Sequence, residues 1–189
     1  MTKRSVEAIV IGASAGAVDA LLEFLPALPA GFPLPILIVI HLPGDHKSLL
    51  VEVFSAKCAL EVCEPDDKEP IRPGVIYVAP PDYHLLVEQS RVFSLSNEEP
   101  VNYCRPSIDV LFESAAGAYT SGVLGVILTG ANHDGAAGLR QVIDAGGAGL
   151  IQTPETAFAS MMPASARAAC PEALVMDLSE IVRFVRECA

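Results

Sequence analysis

Short continuous apolar runs alternate along the chain with stretches whose apolar residues recur at helical spacing. Ala8-Ile9-Val10-Ile11 and Leu34 to Ile40 contain no polar residue, as expected of strands buried on both faces of a sheet. Small residues from Gly12 to Ala17 turn the first run into a helix with the stripe Val18, Leu21, Leu22 and Leu25, closing at Pro26. A second helix is expected from about Lys47 to Ala56 on Leu49, Leu50, Val53 and Phe54, then a short third strand at Leu60 to Cys63. Glu64 to Pro73 and Asn97 to Pro106 are polar loops. Between them Val75 to Ala79, Tyr83 to Glu88 and Val92 to Leu95 read as a meander turning at Pro80-Pro81-Asp82 and Gln89-Ser90-Arg91.

Helix and strand then alternate again. Ser107 is expected to cap a helix on Ile108, Leu111, Phe112, Ala115 and Tyr119, and Gly122 to Leu128 is a strand. A helix at Ala136 to Ala145 stops at Gly146-Gly147, and strands at Gly149 to Gln152 and Leu174 to Met176 alternate with helices at Ala164 to Cys170 and Ser179 to Arg186. The expected fold is α/β: a doubly wound, mostly parallel sheet with helices on both faces and an antiparallel meander at one edge. Residues 1–189 are expected to form a single domain.

Composition narrows the function classes. With 51% hydrophobic and 19% charged residues the chain is built for a packed core. A net charge of −11 makes nucleic acid an unsuitable partner. The longest apolar run, Pro33 to Ile40, is far short of a membrane span, and no leader peptide precedes the first strand, so the expected location is the cytoplasm. Five cysteines without C-x-x-C spacing read as reduced thiols, with no metal site and no cofactor expected.

Three polar residues stand at carboxyl ends of predicted strands, the edge where open α/β sheets bind ligands. Ser14 follows the first strand, His41 the second, and Asp134 the strand ending at Leu128. Gly12-Ala13-Ser14-Ala15-Gly16 fits the G-x-S-x-G nucleophile elbow, and a dinucleotide loop fits worse because Ser14 and Ala17 replace its second and third glycines. A hydroxyl, an imidazole and a carboxylate suit acyl transfer: imidazole takes the hydroxyl proton, and the acid fixes the ring and stabilises the imidazolium. Each residue also has a plain structural reading: Ser14 as an N-cap, His41 as a turn residue, and Asp134 as the N-cap of the helix that follows it. The chain order Ser, His, Asp differs from that of α/β-hydrolases. His133 is a second candidate base, expected to face solvent or substrate. His41-x-x-x-Asp45-His46 invites a metal reading that nothing else in the sequence supports.

These motifs resemble the catalytic domain of the CheB chemotaxis protein-glutamate methylesterases. Ile11 to Gly16 matches the family's Ile-Gly-x-Ser-x-Gly turn, His41-Leu42-Pro43 its histidine motif, and Leu128 to Gly135 its Leu-Thr-Gly-x-x-x-Asp-Gly turn. Gly74 to Leu86 and Arg105 to Phe112 are also similar. The resemblance implies a Ser-His-Asp hydrolase acting on glutamate γ-methyl esters of chemoreceptor cytoplasmic helices, with possible glutamine deamidation. Ser14 would be nucleophile, His41 base and Asp134 the orienting acid. Ala15, Gly16 and Ala131 would supply oxyanion donors, and Arg105 would contact the substrate. Where the family often has Thr and Gly-Gly after the serine, this chain has Ala15-Gly16-Ala17, and where it often has Met-Gly, this chain has Ala131-Asn132. No room is expected here for the receiver domain that many members carry ahead of the first strand. The alternative is a non-catalytic signalling or binding module of the same fold.

Overall fold

The computed structural model describes residues 6–41 and 49–188. Its main sheet has seven parallel strands in the order β3-β4-β2-β1-β7-β8-β9. They are β1 (Ala8–Ala13), β2 (Ile36–Ile40), β3 (Glu61–Cys63), β4 (Val75–Val78), β7 (Val123–Ile127), β8 (Ala148–Gln152) and β9 (Leu174–Met176). β5 (His84–Val87) and β6 (Phe93–Ser96) form a separate antiparallel ribbon.

The central strands β1, β2, β4 and β7 are buried at every position, which explains their unbroken apolar sequences. Side chains still alternate between two layers. Ile9, Ile11, Ile36 and Ile38 pack under α1 (Ala17–Phe24), α2 (Leu50–Ser55) and α6 (Leu178–Glu187). Val10, Leu37 and Val39 pack under α3 (Ile108–Tyr119), α5 (Met161–Ala169), the ribbon and α4 (Ala136–Asp144), which lies largely against α3.

The structure departs from the sequence reading in the meander and in α2. Val75–Val78 is no part of an antiparallel edge; fully buried, it lies in the parallel sheet between β3 and β2. Only the other two runs pair with each other, and Leu85, Val87 and Phe93 bury that ribbon against the α3 layer. In α2, Leu50 and Phe54 are buried but Leu49 and Val53 are exposed, so half of the expected stripe reaches the core. The start of that helix near Lys47, Leu42-Pro43 of the histidine motif, and Asp45 and His46 lie outside the described residues.

Winding sets the site. From β1 the chain adds β2, β4 and β3 on one side, then crosses to β7, β8 and β9 on the other. The carboxyl ends of β1, β2 and β7 therefore lie side by side where the strand order reverses, the usual place for a site in such a sheet.

Candidate active site

The ladder runs on past the strand ends and fixes three residues against one another. His41 N–H donates to Ala13 C=O (3.2 Å) and Ser14 N–H to Thr129 C=O (2.9 Å). Ser14 and His41 share the alternation parity of Val10 and of Leu37 and Val39, the positions facing the α3 layer. The turn after β1 needs its glycines. Gly16 sits at φ +80°, a conformation costly for other residues, and a Cβ there would lie 2.7 Å from that of Phe158. A Cβ on Gly12 would lie 2.4 Å from Ile108, so glycine lets the start of α3 close onto the end of β1. Thr129, 1% exposed, holds the turn from the other side. Its hydroxyl donates to Ala15 C=O (2.7 Å) and accepts from Ala159 N–H (2.9 Å). Ala15, Gly16 and Ala131 N–H donate to no group among the described residues.

Asp134 is fully buried, and its carboxylate gathers five donors. His41 Nε2 (2.9 Å) and Ile108 N–H (2.6 Å) donate to Oδ2; Ser107 Oγ (2.8 Å), Asn102 Nδ2 (2.8 Å) and, more distantly, Asp109 N–H (3.3 Å) donate to Oδ1. Three of these lie at the start of α3, where free amides and the helix dipole favour an anion. Burial pushes the carboxyl's pKa up. The donors outweigh it and hold Asp134 below the ordinary carboxylate range.

Two expectations about caps are corrected here. Asp134 does not cap the helix that follows it; Gly135 is the N-cap of α4, and Asp134 serves α3. Asp109, on α3, accepts instead from Gly135 N–H (2.9 Å) and Gly138 N–H (2.6 Å) at the start of α4. Ser107 is the N-cap residue of α3 but makes no side-chain cap bond, because its hydroxyl is spent on Asp134. Asn102 ties the exchange together, donating to Asp109 Oδ2 (2.8 Å) as well as to Asp134. Burial and the Asp134 charge hold the Asp109 carboxyl above the ordinary range, against its three donors.

With Nε2–H on Asp134, the lone pair of His41 is on Nδ1. Asn132 Nδ2 lies 3.2 Å from it and Cys104 Sγ 3.6 Å. The Asn132 amide is oriented by Asp134 N–H, which donates to its Oδ1 (3.1 Å). Asn102 and Cys104 come from a four-residue turn in which Val101 and Cys104 exchange backbone hydrogen bonds (3.1 and 2.9 Å). Both central residues, Asn102 and Tyr103, have positive φ, the pattern of a type I′ turn in which asparagine is favoured. Burial, then the Asp134 charge, pushes the Cys104 thiol up to about 11, with Asn132 opposing.

Of the residues singled out in the sequence, His41 and Asp134 are in direct contact, and Ser14 is their neighbour through the ladder. His133 is exposed, and its side chain takes no part in the hydrogen bonds of this network. Arg105 Nη1 donates to Asn97 C=O (3.0 Å) and Glu98 C=O (3.1 Å), holding down the loop that leads into the Asn102 turn. Asn102, Cys104, Ser107, Asp109, Thr129 and Asn132 carry site contacts that the sequence reading assigned to none of them. The only local signals were an asparagine in a tight turn and a threonine at a strand end.

The chain as a whole resembles known proteins in sequence and fold. The family model described as CheB methylesterase matches residues 9–185. A protein from Leptospira interrogans is 45% identical over 181 residues, 95% of this chain and 94% of its own. The protein-glutamate methylesterase/protein-glutamine glutaminase of Azospirillum brasilense is 36% identical over 97% of this chain, which spans 48% of that protein. The crystal structure of the Thermotoga maritima CheB methylesterase catalytic domain superposes with a TM-score of 0.92 at 32% identity, covering 98% of this chain and all of that one. The chain therefore belongs to the CheB methylesterase family of carboxylic ester hydrolases.

Proposed function

We propose that residues 1–189 act as one catalytic domain that hydrolyses glutamate γ-methyl esters on the cytoplasmic helices of chemoreceptors, and amides of receptor glutamines in the same way. The observation that carries this reading is the His41 Nε2–Asp134 Oδ2 contact of 2.9 Å beside the Ser14 turn. A buried carboxylate with five donors fixes the ring, and Nδ1 is the nitrogen left to accept a proton. Ser14 Oγ attacks the ester carbonyl as its proton passes to His41 Nδ1. The tetrahedral oxyanion is met by the uncommitted N–H groups of Ala15, Gly16 and Ala131. Methanol leaves with the proton from His41; water then adds, gives its proton to His41, and the glutamate is released as Ser14 recovers its own.

In this reading Arg105 serves the substrate indirectly, by anchoring the loop that brings Asn102 to Asp134 and Cys104 to His41. Among the described residues no helix is long and apolar enough to cross a membrane, which suits action on cytoplasmic segments of a membrane receptor. The test is methanol release from methylated chemoreceptor membranes by the wild type and Ser14→Ala. Release lost at least a thousandfold in the variant supports the nucleophile; equal release excludes it. A non-catalytic module would bind the membranes and release nothing, and would leave Ser14 unlabelled by a fluorophosphonate.

A further inference from the structure

We propose that His41 and Cys104 form a binding site for a thiophilic divalent cation of the zinc type, and that its occupancy silences the base. The hydrogen bonds around His41 place two acceptor atoms side by side when the Cys104 thiol points at Asn102. Nε2–H donates to Asp134, so Nδ1 is an acceptor. The Cys104 thiol donates to Asn102 C=O (3.3 Å), leaving sulfur lone pairs for other donors. One Asn132 amide group fills both acceptors, with Nδ2 3.2 Å from Nδ1 and 3.6 Å from Sγ. A donor therefore stands where nitrogen and sulfur lone pairs meet.

The metrics suit a cation. Zn–N and Zn–S bonds of about 2.0–2.1 and 2.3 Å at a tetrahedral angle put nitrogen and sulfur about 3.5 Å apart; His41 Nδ1 and Cys104 Sγ are 3.6 Å apart. Histidine ligands of zinc commonly pass their other N–H to a carboxylate, which fixes the ring and raises its basicity. Asp134 already makes that contact. The donor atoms of His41, Cys104 and Asp134 all lie within 4.8 Å of one another, but Asp134 is saturated by its five donors and acts here through the ring. His41 is 11% exposed at its side chain and Cys104 is half-buried, so a cation can enter from solvent.

On binding, the S–H bond of Cys104 breaks, its proton goes to solvent, and Nδ1–metal and S–metal bonds form while the Asn132 amide swings away. Water completes the coordination. The Nδ1 lone pair is then spent, and a serine hydroxyl has no base. The loss of activity rests on the proposed role of His41; the binding does not.

The experiment titrates the full chain with cadmium and follows the ultraviolet cadmium–thiolate band, in parallel with zinc inhibition of ester hydrolysis. The wild type should bind one equivalent in the micromolar range that Cys104→Ser binds at least tenfold more weakly. Asn132→Gly, which removes the competing amide, should bind several-fold more tightly. Equal cadmium affinity in the wild type and Cys104→Ser would overturn the site, as would weaker binding by Asn132→Gly. Binding that depends on Cys104 without inhibition by zinc would uphold the site and overturn His41 as the base.

Discussion

Replacing Asp134 by asparagine preserves the shape of the side chain and changes one oxygen into an NH2. The amide oxygen belongs where three donors converge, Ser107 Oγ, Asn102 Nδ2 and Asp109 N–H. The NH2 then faces Ile108 N–H and His41 Nε2, 2.6 and 2.9 Å from the oxygen it replaces. His41 escapes by changing tautomer, accepting at Nε2 and carrying its proton on Nδ1. Ile108 N–H cannot escape and is left buried and unpaired, which together with the lost charge costs about 2–4 kcal/mol. The tautomer change is worse for chemistry, because the proton now occupies the atom that must receive one from Ser14. Turnover should fall about 10³–10⁴-fold with little change in KM.

Stability follows pH in a defined sense. Asp134 is held below the ordinary carboxylate value, so its contribution is complete above about pH 4 and fades as pH falls through the lower folded value. The gap between wild type and Asp134→Asn in urea unfolding should therefore be full at pH 7 and shrink in acid. A variant that folds normally and keeps turnover within tenfold of the wild type would refute the tautomer argument.

Asn102→Ala removes one NH2 that serves two carboxylates, and should cost about 2–4 kcal/mol in urea unfolding at pH 7. The cost should be smaller near pH 4, because Asp109, already held above the ordinary range, then takes up a proton and supplies the missing donor itself. An equal loss at both values would show that the shared amide is not the cause. Alkylation of Cys104 by iodoacetamide, read by mass spectrometry, should still be accelerating at pH 10, since burial and Asp134 push the thiol up to about 11. A plateau near pH 9 would contradict that, and Asp134→Asn should bring the plateau to lower pH.

The fold was largely legible because parallel strands covered on both faces cannot carry polar residues. Ile36–Ile40 and Val123–Ile127 announce themselves for that reason. Val75–Val78 was misplaced by the same logic: an apolar run says that a strand is buried, not which neighbour it pairs with. Ser14, His41 and Asp134 stand out as candidates in the sequence because topology puts chemistry at carboxyl ends of strands, one residue per strand. Their supporting groups were not. Asn102 and Ser107 look like ordinary loop and cap residues, and what makes them site residues is a carboxylate 32 and 27 positions away.

The exchange of caps explains why a local rule failed at the most important residue. Asp109 and Asp134 each stand next to a helix start, and each satisfies the other's helix. Had Asp134 capped α4, its oxygens would have turned toward Gly138 and away from His41. By serving α3 it gains an anion site built from backbone amides and still keeps Oδ2 open to the imidazole. The acid side of His41 is thus fixed by groups that the fold cannot easily rearrange. The opposite side is held by less: Nδ1 meets only Asn132 and Cys104 among the described residues, each anchored by a single hydrogen bond to nearby backbone. Asn132 stands where the family often has glycine, and its amide lies 3.2 Å from the Nδ1 lone pair that the proposed mechanism uses. On the proposed role of His41, that contact should weaken the base until it is displaced. Variation at position 132 should therefore change rate, whereas variation at 102, 107 or 109 should change stability first.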